Sequence, residues 1–429
     1  MSLKLRTSHN AINAPIANAP NLIFLPSGQG ACDGCFEVAV AMACLPGAFI
    51  RAMPRNKLPL GATVISLLLV SCGSGEELKP TEAATAIENI ADNAAPGKAR
   101  LESTIAPFFE NTALEETRAI VIMHGGRVVA ERYAPGYGPE SRLISWSMAK
   151  SVTATLIGMM VADGLLVLDD PAPVPEWSSP GDPRAKITLR HLLHMSSGLD
   201  HTEMAEGDKA IYEADTTRLL FLDGRENVAR YAEKRNLEAE PGSQFEYSTA
   251  TSHILADIMT RTLTDSTDPV VRRNAMLEYA RGRLFEPLGM TSAIPEFDRN
   301  GTMLGGSMIH ATARDWAKFG EFLRNNGSVR SAQLLPTSWT RFMKTSSAND
   351  PAYGGHIWLN KRRPEGRDQV LFPGKAPSDV FAALGHLGQF IVVSPQHRLT
   401  IVRLGKTPDS DLDPINDQIA KLIAIFPKS

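Results

Sequence analysis

The sequence predicts an α/β domain of the α+β type, in which an antiparallel sheet is assembled from both ends of the domain and a mostly helical region is inserted between them. Three observations carry this prediction: strand-like segments at 119–132, helical periodicity through the middle of the chain, and short apolar runs at 381–402. Strands that come first and last, with helices between them, are expected to meet in one sheet that the helices cover.

The strands at both ends are short apolar runs bounded by turn residues. Gly125 and Gly126 separate the first two runs, as is typical of a hairpin. The five expected strands lie at 119–123, 127–132, 381–384, 390–393 and 399–402.

The predicted helices are read from apolar periodicity and from capping residues. The most apolar one is expected at 152–166, and Thr312 opens another whose Trp316, Phe319 and Leu323 form one apolar stripe. Further helices are expected at 187–195, 226–234, 249–261, 274–284 and 413–425.

Composition limits the functional classes. The 429 residues are 43% hydrophobic and 21% charged, which suffices for a full core, and the formal net charge of -3 with no basic stripe argues against a nucleic-acid partner. All the cysteines (Cys32, Cys35, Cys44 and Cys72) precede the predicted domain, so no disulfide framework holds it. Cys32 and Cys35 have the spacing of half a metal site, but no second pair follows, and we predict no metal.

The N-terminal region has the residue pattern of an export signal. Residues 51–57 are basic, 58–70 form a short apolar run, and Leu-Val-Ser-Cys72 resembles the lipobox of bacterial lipoproteins. We therefore expect Cys72 to be lipidated and the protein to lie on the periplasmic face of a bacterial cell envelope. The alternatives are an uncleaved signal anchor and a soluble secreted or periplasmic protein.

The expected domain organisation follows from that signal. Its segments are a doubtful N-terminal extension at 1–52, a lipoprotein-type signal peptide at 53–72, a tether at 73–98 and the main domain at 99–429, in which 147–347 is mostly helical.

Ser147 and Lys150 lie where the most apolar helix begins. If the segment from Met148 onward is helical, both side chains share one face of its first turn. A desolvated lysine has a lowered pKa and can take the serine proton, while the helix N-terminus favours the developing negative charge. This spacing, the only Ser-x-x-Lys in the chain, predicts an activated serine nucleophile.

Two further segments could contribute chemistry. Tyr247 stands in a turn that runs into a helix, where its phenol could relay a proton if a nearby lysine ammonium lowers its pKa. The segment 385–389 heads a strand, and its glycines allow the backbone to approach a ligand so that an N–H can point at an oxyanion.

The order of these motifs carries a resemblance. Ser147-x-x-Lys150, then Tyr247, then His386-x-Gly388 resembles serine hydrolases related to class C β-lactamases and penicillin-binding proteins, over roughly 118–405. Several segments are most similar to the branch of 6-aminohexanoate-dimer (nylon oligomer) hydrolases and related esterases, namely 145–150, 306–308, 311–320, 353–358 and 385–389.

The resemblance implies a β-lactamase/transpeptidase-like fold and a role for each matching residue. Ser147 would be acylated, Lys150 and Tyr247 would transfer protons, and the backbone N–H groups of Ser147 and Gln389 would form the oxyanion hole. The substrate would be bound by the remaining motif residues, Thr249, His386 and Gly388. No cofactor and no protein partner are implied.

Two departures from the family pattern bear on the substrate. The usual Tyr-x-Asn reads Tyr247-x-Thr249, and the usual Lys-Thr-Gly reads His386-x-Gly388, where an imidazole replaces a fixed cation. Both changes weaken a clamp for a substrate carboxylate, so we expect hydrolysis of an ester or a small amide.

Other functions remain open. The enzyme alternative is a β-lactamase or a D-alanyl-D-alanine peptidase, and the non-enzyme alternative is a penicillin-binding-like sensor lipoprotein without turnover. The Gly-x-Ser-x-Gly elbow of α/β-hydrolases does not occur.

Overall fold

The computed structural model describes residues 86–205, 210–365 and 367–429. Strands in these residues form a seven-stranded antiparallel sheet in the order β1-β3-β2-β12-β11-β10-β9, a three-stranded sheet β4-β6-β5 and a hairpin β7-β8. The strands are β1 Ile87–Ile90, β2 Glu116–His124, β3 Arg127–Tyr133, β4 Leu143–Ile144, β5 Ile294–Pro295, β6 Ile309–Ala311, β7 Ser328–Val329, β8 Ala332–Gln333, β9 Trp358–Leu359, β10 Phe381–Gly385, β11 Gln389–Ser394 and β12 Leu399–Lys406.

The helices fill the long interval between the two groups of strands and also flank both ends. They are α1 Lys98–Ile105, α2 Pro107–Glu110, α3 Ala149–Ala162, α4 Leu189–Leu193, α5 Asp215–Phe221, α6 Val228–Glu233, α7 Thr249–Leu263, α8 Pro269–Ala280, α9 Glu286–Leu288, α10 Ala313–Arg324, α11 Thr337–Met343 and α12 Asp413–Ala424. A π-helical turn, Arg281–Phe285, joins α8 to α9.

The large sheet confirms the predicted class, because β2 from the start of the domain pairs with β12 from its end. Their register aligns Ile122 with Ile401 and Val121 with Val402 in an antiparallel ladder. Successive residues of a strand face opposite sides of the sheet. Ile120 and Ile122 therefore join one buried cluster, and Val121 joins the other.

Helices cover both faces of the sheet. On one face α1 and α12 supply Leu101, Ile105, Ile415 and Ile419 to a smaller core. The other face carries the main core, to which α3, α7 and α10 contribute. Helix α3 is buried along nearly its whole length, so other parts of the core pack against it on all sides.

Three predicted boundaries were wrong. The helix expected at 152–166 ends at Ala162, because Gly164 takes a positive φ of 74° and breaks it. The helix expected at 274–284 begins earlier, at Pro269, where the side chain of Asp268 caps its first N–H groups. The tether expected at 73–98 is too long, since Ile87–Ile90 pairs with β3 and belongs to the sheet.

The predicted N-terminal extension, the predicted signal peptide with Cys72 and most of the predicted tether lie outside the described residues. Among the residues that are described, no helix is both long and apolar enough to cross a membrane.

Candidate active site

Ser147 lies in a single 3₁₀ turn, Trp146–Met148, that leads directly into α3. The turn is held from behind by Ser145, whose backbone N–H donates to Ile309 O (2.9 Å) and whose hydroxyl accepts from Ile309 N (3.1 Å). Trp146 has a positive φ of 44°, which is uncommon for a tryptophan. Strain of this kind persists only where the surroundings enforce it, and here it leaves Ser147 half-buried at the head of a rigid helix.

Lys150 is one turn further along and is 1% exposed. Its Nζ lies 2.9 Å from Ser147 Oγ, 2.8 Å from Thr249 Oγ1 and 2.8 Å from Gly306 O. Burial lowers the pKa of Lys150 to about 8, and the nearby charge of Glu203 offsets part of this effect. The amine is therefore close to Ser147 and loses its proton far more readily than an ordinary lysine.

Tyr247 immediately precedes Ser248, the N-cap of α7. Its side chain lies close to α3 because α3 and α7 pack together. Lys150 Nζ lies 4.9 Å from the centre of the Tyr247 ring. On its other side the ring stacks on Trp358 with centroids 5.5 Å apart. The structure thus brings the phenol, the amine and the serine together.

The condition placed on Tyr247, that a nearby lysine lowers the pKa of its phenol, is not met. Burial and the charge of Glu203 raise the pKa of the Tyr247 phenol, and a hydrogen-bonding contact with Ser147 only partly offsets them. The phenol therefore keeps its proton near neutral pH. Of the two groups, Lys150 is therefore better suited to accept a proton and Tyr247 to donate one.

Thr249 was expected to bind substrate, but the structure places it behind Lys150. It is the first residue of α7, it is 1% exposed, and its hydroxyl contacts Lys150 Nζ and a carboxylate oxygen of Glu203 (2.7 Å). Its hydrogen-bonding positions are therefore occupied by protein groups, and Thr249 positions the lysine.

The turn between β10 and β11 holds the three other predicted residues. His386 is exposed, its Nδ1 is 2.6 Å from Asp409 Oδ2, and its ring meets the edge of Trp146 with centroids 5.3 Å apart. His386 therefore lies at the rim of the site, beside the turn Trp146–Met148.

Gly388 and Gln389 form hydrogen bonds that stabilise this turn. The carbonyl of Gly388 accepts from the guanidinium of buried Arg403 (2.8 Å), and a Cβ added at Gly388 would collide with that guanidinium. The side-chain amide of Gln389 donates to the carbonyls of His386, Leu387 and Gly405. The oxyanion role of the Gln389 backbone N–H remains a prediction, and Gly388 is better described as a support of the turn.

Gly385, the last residue of β10, packs directly against the segment that carries Ser147. A Cβ built on it would lie 2.2 Å from the backbone oxygen of Ser145 and 3.1 Å from Trp146 Cβ. Only glycine allows the strand to come this near, a role that the sequence motifs do not predict for Gly385.

Replacing Gly385 with alanine is expected to lower kcat/KM by about 10- to 100-fold, because the backbone around Ser147 must shift and misplacing a reacting group is costly. The same overpacking is expected to cost about 1–3 kcal/mol of stability. Gly282 is a suitable control for a Gly→Ala change, since a Cβ added there would meet nothing within 4 Å and its φ is not positive. Normal hydrolysis rates in Gly385→Ala would contradict this close packing.

Two residues of the site were missed by sequence reasoning. Gly306 supplies the carbonyl that accepts from Lys150, and Glu203 accepts from Thr249. Gly306 lies in a segment similar to the family but carries no role predicted from it, and Glu203 lies in no recognisable motif. Both reach the site from loops that only the packing of the helices brings close.

A serine hydroxyl, a buried lysine one helical turn away and a protonated phenol, beside strand β10 of an antiparallel sheet, are typical of serine hydrolases of the β-lactamase/transpeptidase-like fold. The family model described as "Beta-lactamase" matches residues 112–424 of the chain. The chain therefore belongs to the beta-lactamase family.

Individual relatives agree with this assignment. The chain is 24% identical over 308 residues to a 6-aminohexanoate-dimer hydrolase of Paenarthrobacter ureafaciens, covering 70% of this chain and 75% of that protein. A solved structure from Bacillus anthracis, described as a candidate 6-aminohexanoate-dimer hydrolase, is similar with a TM-score of 0.57 and 24% identity, covering 74% of this chain and 82% of that one. A family VIII carboxylesterase gives a TM-score of 0.57 with 15% identity, covering 80% and 99%.

Proposed function

We propose that this protein hydrolyses an ester or a small amide through an acyl-enzyme intermediate on Ser147. The observation that carries the proposal is the position of the buried Lys150 amine, 2.9 Å from the serine hydroxyl and with a pKa lowered to about 8. An amine in that state accepts the serine proton as the nucleophile attacks.

The proposed reaction has two halves. In the first, Ser147 Oγ forms a bond to the substrate carbonyl carbon while Lys150 takes its proton, and the bond to the leaving alcohol or amine breaks as that group receives a proton by way of Tyr247. In the second, water attacks the acyl carbon as the same lysine and tyrosine pair takes one of its protons. The bond between the acyl carbon and Ser147 Oγ then breaks as that proton is returned to Oγ, and the carboxylic acid is released. Backbone N–H groups at the head of α3 and at the β10–β11 turn would stabilise the oxyanion.

The charge at the rim favours uncharged substrates. Family members that bind a substrate carboxylate would present a lysine where this chain has His386, and here His386 is paired with the Asp409 carboxylate. Asp409 also accepts from Leu387 N (2.9 Å), so its negative charge is fixed at the turn. An anionic substrate would approach that charge unfavourably, which supports esters and neutral amides over β-lactams and peptidoglycan peptides.

A substrate panel with active-site labelling tests the proposal. We expect p-nitrophenyl esters to be turned over at least about 100-fold faster than nitrocefin or D-amino-acid amides, and a fluorophosphonate to leave one adduct, on the peptide that contains Ser147. Absence of an adduct on the wild-type protein would refute the acyl-enzyme. Faster turnover of nitrocefin or of the D-amino-acid amides would favour the β-lactamase or peptidase alternative, and acylation without release would favour the sensor.

We further propose that the protein is lipid-anchored through Cys72 on the periplasmic face of the bacterial envelope. The basic, apolar and small-residue order before Cys72 supports the proposal. Radiolabelled palmitate should enter the wild-type protein and not Cys72→Ala. Equal labelling of both would refute the anchor.

A further inference from the structure

Glu203 lies behind the catalytic lysine and contacts it through one intermediate group. Its Oε1 accepts from Thr249 Oγ1 (2.7 Å), and its Oε2 accepts from Thr249 N (2.6 Å) and from Thr216 Oγ1 (2.8 Å). Thr249 Oγ1 in turn lies 2.8 Å from Lys150 Nζ. A continuous row of short contacts therefore joins the Glu203 carboxylate to the amine that activates Ser147.

The direction of each hydrogen bond in this row follows from the number of protons available. A carboxylate only accepts, so the single hydroxyl proton of Thr249 is committed to Glu203 and its oxygen must accept from Lys150. The carbonyl of Gly306 likewise has no proton to donate, so it too accepts from Lys150. A neutral amine has two N–H groups and one lone pair, and both N–H groups are now used. The lone pair is left for the third neighbour, Ser147 Oγ.

We propose that Glu203 is a positioning residue that, by taking the hydroxyl proton of Thr249, directs the lone pair of neutral Lys150 at Ser147. The inference rests on the proposed function, and it explains why this chain carries a hydroxyl at 249. An amide at that position could donate to the lysine, whereas a threonine bound to a carboxylate cannot.

The charge of Glu203 also raises the pKa of Lys150, and the dependence of kcat/KM on pH can measure this effect. The titratable groups that contact Lys150 or interact with its charge include Glu203, Tyr247, His253 and His356. The phenol stays protonated, and burial lowers the pKa of both histidines to about 3, so these three are neutral between pH 6 and 8. Glu203 is the one of the four that raises the pKa of Lys150.

The test is Glu203→Gln, measured as kcat/KM against pH with a p-nitrophenyl ester. Glutamine has one oxygen, which must accept from the rigid Thr249 N–H, so its NH₂ faces Thr249 Oγ1 and reverses that bond. Thr249 then donates to the lysine lone pair and competes with Ser147. We expect kcat/KM at its plateau to fall by about 30- to 300-fold, and the acidic limb of the profile to move to lower pH.

Two comparisons separate positioning from a structural role. Glu213→Gln changes an exposed carboxylate in the same region and should keep the wild-type profile. In a Thr249→Val background, where the relaying hydroxyl is absent, Glu203→Gln should lower the plateau by less than about threefold. A loss of equal size in both backgrounds would overturn the proposal, as would a plateau and acidic limb in Glu203→Gln that match the wild type.

Failure of the proposed function would be recognised separately. A wild-type protein that neither turns over esters nor reacts with a fluorophosphonate refutes the hydrolase. In that event, NMR titration of ¹³Cε-labelled lysine, with Lys150 assigned from a Lys150→Met sample, decides the inference without turnover. A lower pKa of Lys150 in Glu203→Gln supports the coupling, and an unchanged pKa overturns it.

Discussion

Replacing Ser147 with alanine is expected to reduce kcat/KM by at least about 10⁴-fold and to abolish fluorophosphonate labelling. The expected size follows from serine hydrolases in which removing the nucleophile leaves only the catalysis provided by binding and oxyanion stabilisation. The fold should be retained, because Ser147 is half-buried and its loss removes one contact with Lys150 while Thr249 and Gly306 still hold the amine. Ester hydrolysis, intact mass after labelling and thermal unfolding measure the three expectations.

Ser103→Ala is the matched control for this variant, since Ser103 is exposed on α1, on the opposite face of the sheet. It should label and turn over substrate like the wild type. An adduct of unchanged stoichiometry in Ser147→Ala would place the nucleophile elsewhere and would remove the basis of the mechanism.

Replacing Lys150 with methionine is expected to reduce kcat/KM by about 10³-fold or more, because methionine fills the volume of the side chain but cannot accept the serine proton. Lys150→Arg should be similarly inactive, since a guanidinium stays protonated at any working pH. In the wild type, kcat/KM should rise with pH up to about 8, as the lysine loses its proton. Lys421→Met, an exposed change on α12, serves as the control.

The difference in the free energy of unfolding between the wild type and Lys150→Met is expected to depend on pH. The pKa of Lys150 is about 8 in the folded protein against an ordinary value of 10.5, so below pH 8 both the folded and unfolded states hold the proton. Between pH 8 and 10.5 only the unfolded state still binds it, and the free energy of unfolding contributed by this group rises with pH. Relative to Lys150→Met, the wild type should gain about 3 kcal/mol over that interval.

Urea unfolding of both proteins at several pH values measures this difference, and other titrating groups cancel because both proteins contain them. A constant difference between wild type and Lys150→Met across the interval would show that the amine is not desolvated. If the activity of Lys150→Met were within tenfold of the wild type, another group would have to be the base.

Much of the fold was predictable because local residue patterns indicate most of its helices and strands. Short apolar runs bounded by turn residues marked β2, β3, β10, β11 and β12, and the apolar stripe of Trp316 and Phe319 marked α10. The boundaries were less predictable, since Gly164 and the Asp268 cap act through backbone geometry. The strand Ile87–Ile90 was missed because its residues are mostly exposed at the sheet edge and leave little hydrophobic pattern.

The sequence by itself determined that Ser147 and Lys150 share one face at the start of a helix, since three-residue spacing is enough for that. Only the tertiary structure decided what surrounds the amine. Thr249 and Gly306 lie 99 and 156 positions away from Lys150, and Glu203 lies 46 positions before Thr249. Such contacts depend on how α3, α7 and the loops pack, and the pKa values of Lys150 and Tyr247 follow from the burial and charge that this packing creates. No local pattern contains that information, because desolvation is a property of the assembled core.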